Sequence, residues 1–137
     1  MPRLLPILLA ACLVLPLGGC PATSTRQQTV DQALYTYAGM IRWGEFEGAW
    51  EYVDPEVREA QPLSDIDIER YKQLQVTGYH PKTSAPTADG GLVRTVEIAL
   101  VNRHTQVERT VQVVETWRWD EDAQRFWLTS GLPTFER

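Results

Sequence analysis

Cysteine and histidine are scarce in this chain of 137 residues, two of each, and where they stand removes whole classes of chemistry. Cys12 and Cys20 both fall within the first twenty residues, so the rest of the chain carries no thiol, no disulfide and no cysteine metal site. His80 precedes Pro81, and His104 lies in the turn-like "NRHTQ". Neither has a second ligand or an orienting partner at the spacing a metal centre or a triad needs. A glycine-rich phosphate loop and the motif context of a Ser/His/Asp triad are also missing. "DIDIE" opens like a calcium loop, but Arg70 stands where the sixth position needs glycine and Val76 where the twelfth needs glutamate. Dense basic clusters are lacking, and the net charge is −5, or −6 without Arg3. A chain with that balance has no basic footprint for a nucleic-acid backbone, and nucleic acid is not an expected partner. No metal and no cofactor is expected.

What the sequence does have begins with a leader. Arg3 is the one charge before an apolar run from Leu4 to Leu17, and small residues follow it, which is the layout of a secretory signal. The run is shorter than the ~20 residues needed to span a bilayer, and Pro6 and Pro16 interrupt it. Leu17-Gly18-Gly19-Cys20 resembles the lipobox of bacterial lipoproteins. That resemblance implies cleavage before Cys20, diacylglycerol on its sulfur and a further acyl chain such as palmitate on its new amino group. Several chains satisfy the energetics of stable anchoring, which a single chain does not. Pro21, in place of the aspartate that holds enterobacterial lipoproteins in the inner membrane, favours the outer membrane, with the protein facing the periplasm. The expected division is a signal peptide over 1–19, an acylated cysteine and flexible tether over 20–28, and one domain over 29–137, a length suited to a single core.

The domain reads as helices followed by strands. Thr29 and Gln32 have capping-box spacing, and Val30, Leu34, Tyr37, Ala38 and Ile41 then share a helical face that stops near Gly44. Phe46, Ala49, Trp50 and Val53 mark a second short helix, Asp54-Pro55 caps a third, and Ser64 followed by Asp65, Asp67 and Glu69 opens another. Strands are predicted from Leu74 to about Tyr79, Leu92 to Val101, from Val107 through Trp119, and Arg125 to Ser130, with "HPKTSAPTADGG" as a long loop. Val96, Ile98 and Leu100 face one way on the second strand; Val111, Val113, Trp117 and Trp119 face inward on the third. A five-residue "DEDAQ" loop pairs Trp119 with Arg125 and Trp117 with Trp127. The fold class is α+β, N-terminal helices on a curved antiparallel sheet of about four strands.

This order of elements, with "WGEFEGAWEYVDPE" and the closing "VVETWRWDEDAQRFWLTSGLP", resembles the nuclear-transport-factor-two-like superfamily, and Trp117, Trp119, Asp120, Arg125 and Trp127 approximate the ending of small bacterial lipoproteins within it. The resemblance implies a cone between sheet and helices that holds a ligand pocket, an active site, or only side chains. Isomerases and dehydratases of the superfamily place an acid–base residue inside that cone. The candidates here are Arg109 and Glu115, which share the inward register of the third strand, with Tyr35 and Tyr37 from the first helix. Trp43, Trp117 and Trp119 are the candidate walls of an apolar pocket. The leading expectation is a lipid-anchored, non-catalytic module that binds an envelope protein or a small apolar ligand. A small enzyme using the cone and a structural homodimer are the alternatives. The enzyme separates from the binding module on one point, whether the cone is open beside Glu115 or plugged by Trp and Val, and the homodimer predicts a doubled mass in solution.

Overall fold

The computed structural model describes residues 21–135, with side chains from Thr25 onward, so Cys20 and the leader lie outside the described residues. Four helices, α1 (Pro21–Trp43), α2 (Phe46–Trp50), α3 (Pro55–Ala60) and α4 (Asp65–Lys72), precede four strands, β1 (Leu74–Pro86), β2 (Leu92–Asn102), β3 (Glu108–Asp120) and β4 (Arg125–Leu128). The strands form one antiparallel meander in chain order, and α1 packs across it. The α+β class is therefore what the chain adopts.

Local chemistry explains the helix ends. Gly44 takes the left-handed conformation (φ 75°), and the Gly44 and Glu45 amides donate to the Ile41 and Met40 carbonyls, a Schellman ending for α1. Asp54 caps α3 by accepting from the Glu56 amide at 2.9 Å, ahead of Pro55, which has no amide to leave unpaired. On α4 the capping box is complete, with Ser64 and Asp67 exchanging backbone and side-chain hydrogen bonds. The chain before α3 also seals a sheet edge. Leu128 donates to the Tyr52 carbonyl and accepts from the Asp54 amide, so residues 52–54 run beside β4.

The core lies between α1 and the inner sheet face. Ala33, Tyr37 and Ile41 meet Val96, Ile98 and Leu100 of β2, Trp117 of β3 and Phe126 and Leu128 of β4. Stacking of Trp117 on Phe126 (5.3 Å, 12°) fills the middle.

Three local expectations are corrected. Residues 21–28 are helical, not a tether, because Arg26 ties them to the sheet. Its guanidinium donates to the Gly90 carbonyl at 2.9 Å and lies over the Trp119 ring at 4.8 Å. Thr29 and Gln32 are then mid-helix and bond to the Thr25 carbonyl and the Thr36 hydroxyl instead of capping. The long loop after Tyr79 is instead the second half of β1. Its two prolines are tolerated because β1 is an edge strand, with register shifts at Val76/Gly78 and Pro81/Thr83. The last hairpin is one residue tighter than expected. Asp120 pairs with Arg125 and its carboxylate accepts from the Asp122 and Ala123 amides, while Gln124 adopts φ 51°. A one-residue slip exchanges faces. Phe126 points inward in place of Trp127, and the Trp127 indole donates outward to Asp120 at 3.1 Å.

Asp54 is buried and, besides capping α3, pairs with Arg118 of β3. Asp54→Ala is expected to cost about 2 kcal/mol, more than the ~1 kcal/mol of Ser64→Ala at the exposed cap of α4. Urea denaturation followed by circular dichroism checks the order of the two variants.

Candidate functional site

Polar residues in the inner sheet face meet at one place. Arg94 precedes Val96 by two positions on β2, so the pleat turns it inward, and the register sets it directly opposite Glu115 of β3. Both are buried, 6% and 2% exposed. Arg94 Nε donates to Glu115 Oε2 at 2.6 Å, the Tyr79 hydroxyl from β1 donates to Glu115 Oε1 at 2.6 Å, and Arg94 Nη2 donates to the Tyr79 oxygen. The Trp117 indole adds a fourth bond, to Oε2 at 3.2 Å. Three strands thus close a ring of charge-assisted hydrogen bonds. The guanidinium also lies over the Tyr79 and Trp117 rings at 5.6 and 5.8 Å.

Tyr37 covers this ring from α1. Its own ring stands edge-on to Trp117 at 5.1 Å, and its hydroxyl is buried with no hydrogen-bond partner among the described residues. Burial pushes the Tyr37 phenol well above its ordinary range, and the Glu115 charge adds to the push. Tyr79 moves the same way, through burial first and then Glu115, against the opposing charge of Arg94. Every carboxylate oxygen of Glu115 is occupied by donors from its own fold. A general base needs reach to a substrate proton, and Glu115, Arg94 and Tyr79 line neither the groove beside α4 nor the hollow beside α1. The space between α1 and the sheet is filled beside Glu115 by Trp117 and by Tyr37 packed on it.

The expected site residues separate. Tyr37, Glu115 and Trp117 do come together. Tyr35 and Trp43 are 79% and 83% exposed on the outer side of α1. Arg109 is on the same face of β3 as Glu115 but six residues away, roughly 20 Å along a strand, and it donates to the Phe135 carbonyl. Trp119 is half-buried under Arg26. Arg94 and Tyr79, which complete the network, were not among the sequence candidates. The signal for Arg94 was present: it shares the inward alternation of Val96, Ile98 and Leu100, and pairing outward from the "NRHTQ" turn sets it against Glu115.

The open space is at the other end of the sheet. A groove of about 720 Å³ lies between α4, the β2–β3 hairpin and the C-terminal segment, with Arg70, Tyr71, Leu74, Val107, Arg109 and Phe135 in its walls. Its base is an aromatic cluster in which Phe46 stacks on Tyr71 at 4.1 Å and both meet Phe135 edge-on at 6.1 Å. Tyr71 donates to the Pro133 carbonyl at 3.1 Å, and burial, with the Asp67 charge, pushes its phenol up to about 12. A smaller hollow of about 460 Å³ lies beside α1, near Gln28, Tyr52 and Arg125. Among the described residues no group of three or more His, Cys, Asp or Glu is placed to hold a metal, and no helix is long and apolar enough to cross a membrane.

No protein-family model, curated protein or solved structure matches the chain.

Glu115→Ala strands the Arg94 charge in the core and is expected to cost about 3–5 kcal/mol. The double replacement Arg94→Met with Glu115→Leu is expected to cost less than Glu115→Ala alone, because no charge is left unpaired. Chemical denaturation of the three proteins checks this. Tyr37, Tyr71 and Tyr79 all have raised folded-state pKa values, so the unfolded chain releases their protons first. Their contribution is complete below the unfolded-state value of about 10 and is lost as pH rises past it. Stability measured against pH is expected to fall above about 10, and less steeply in Tyr79→Phe.

Proposed function

We propose that this protein is a lipid-anchored component of a bacterial cell envelope, facing the periplasm from the outer membrane, whose nuclear-transport-factor-two-like domain is a non-catalytic binding module. The anchor rests on Leu17-Gly18-Gly19-Cys20 and the leader before it. The module reading rests on one observation: the ionisable groups inside the cone, Arg94, Glu115 and Tyr79, are bonded to one another in a sealed core, while the accessible concave surface is elsewhere. The isomerase or dehydratase alternative asks Arg109, Glu115 and a tyrosine from 35 or 37 to act on one substrate. Tyr37 lies beside Glu115 and Trp117, but its hydroxyl is buried, Tyr35 is on the outside of α1, and Arg109 is at the far end of β3.

The helical start at Pro21 supports a close seat on the membrane. With acyl chains on Cys20 the domain begins within one residue of the bilayer surface, its first helix held to the sheet by Arg26 at Gly90 and Trp119. It works beside the membrane, not at the end of a long leash.

Mass spectrometry of the protein purified from membranes is expected to show a mature chain that begins at Cys20 and carries acyl mass. Cys20→Ser is expected to move it out of the membrane fraction. A mature chain that begins elsewhere, or a wild-type protein free of lipid in intact cells, contradicts the anchor. Glu115→Gln is expected to leave crosslinking to envelope components from position 107 intact, whereas loss of capture with the fold retained contradicts the module reading.

A further inference from the structure

Charge is distributed unevenly around the larger groove. The protein is acidic as a whole, yet the ionisable groups in this groove's walls, apart from the Tyr71 phenol, are Arg70, Arg109 and a single carboxylate, Asp67. Asp67 is already engaged. One oxygen accepts from the Ser64 amide and hydroxyl at 3.3 and 2.6 Å, and the other takes Arg70 at 3.5 Å. The Ser64 hydroxyl and amide beside Asp67 hold its carboxyl below the usual range, so it stays ionised and occupied. Arg109 is in the opposite position. It is half-buried, makes one hydrogen bond, to the Phe135 carbonyl, and has no carboxylate partner among the described residues. A guanidinium has five N–H donors, and its planar fork matches an oxyanion. Among the described residues the groove therefore presents an underused cation and no free anion.

The remaining wall is apolar. Leu74, Tyr71, Phe135 and Val107 line it, and Val107 is 60% exposed beside the β2–β3 turn. An oxyanion beside the Arg109 fork leaves an attached hydrocarbon lying along these side chains. A volume of about 720 Å³ suits one small molecule of that shape, since ligand pockets run to roughly 300–1,000 Å³. We infer that the groove binds a single-tailed anionic amphiphile, an alkyl chain with a carboxylate or phosphate-monoester head. The head takes the free donors of Arg109, and the chain covers Leu74, Val107 and Phe135. This inference rests on the binding-module reading and names the ligand class for it.

The test is titration of the purified domain, residues 21–137, with decanoate, decyl phosphate, decanol and decylammonium, read by calorimetry and by amide shifts in two-dimensional NMR. Decanoate and decyl phosphate are expected to bind and to shift Val107, Arg109 and Phe135, and their ratio identifies the preferred head. Decanol and decylammonium are expected to bind at least about tenfold more weakly, the scale of one charge-assisted contact. Arg109→Gln is expected to weaken decanoate by a similar factor. Val107→Asp, an exposed change that spares the core, is expected to do the same with the fold unaltered. Equal binding of decanol and decanoate, no binding of either anion, or shifts centred on Tyr52 and Phe126 would overturn the inference. Capture of an envelope protein through position 107 with no decanoate binding overturns the ligand class and leaves the module reading standing.

Discussion

The inner face of the sheet depends on one ion pair. Arg94 and Glu115 oppose each other across β2 and β3 in a core otherwise built from aliphatic and aromatic side chains. Two charges taken out of water are costly unless their geometry is good and their remaining donors and acceptors are met. Tyr79 and Trp117 meet those demands, so Tyr79 on β1 and Trp117 on β3 are placed by the pair. Trp117 in turn stacks on Phe126 and receives Tyr37 edge-on. The polar ring and the aromatic core around it thus form a single packing unit that draws on all four strands and α1.

Much of this was legible in the residue order, and the gaps have physical causes. Alternation in β2 and β3 showed the inward rows, and the caps at Asp54 and Ser64 and the stop at Gly44 showed helix ends, because each of these signals is local. The reach of α1 back to Pro21 was not legible, since "PATSTRQQ" has no apolar stripe and its helix is held by Arg26 against Gly90 and Trp119, contacts far apart in sequence. The length of β1 was hidden by Pro81 and Pro86, which exclude a central strand but not an edge. The last hairpin slipped by one because Asp120 serves both as a strand residue and as the acceptor that shapes its turn.

The candidate site shows the same division. Glu115, Tyr37 and Trp117 were singled out and do meet, but as a closed structural centre. Arg109 was grouped with them on face alone, and distance along the strand sets it in a different environment, the groove under α4. The amphipathic patterns that located the core could not tell an ion pair from an acid–base site. Which partner lies opposite Glu115 decides that, and it follows only from the register of two strands. The domain therefore separates its roles: the middle of the sheet secures the fold, and the end near Arg109 offers concave, accessible surface.

Hydrogen exchange at the Arg94 Nε–H, followed by NMR at neutral pH, tests the sealed centre most directly. The account predicts exchange as slow as that of the most protected amides of β2 and β3, at the rate of global unfolding. Exchange as fast as that of the exposed Arg42 side chain would mean that water reaches Glu115 in the folded protein, and the structural role assigned to that pair would be wrong.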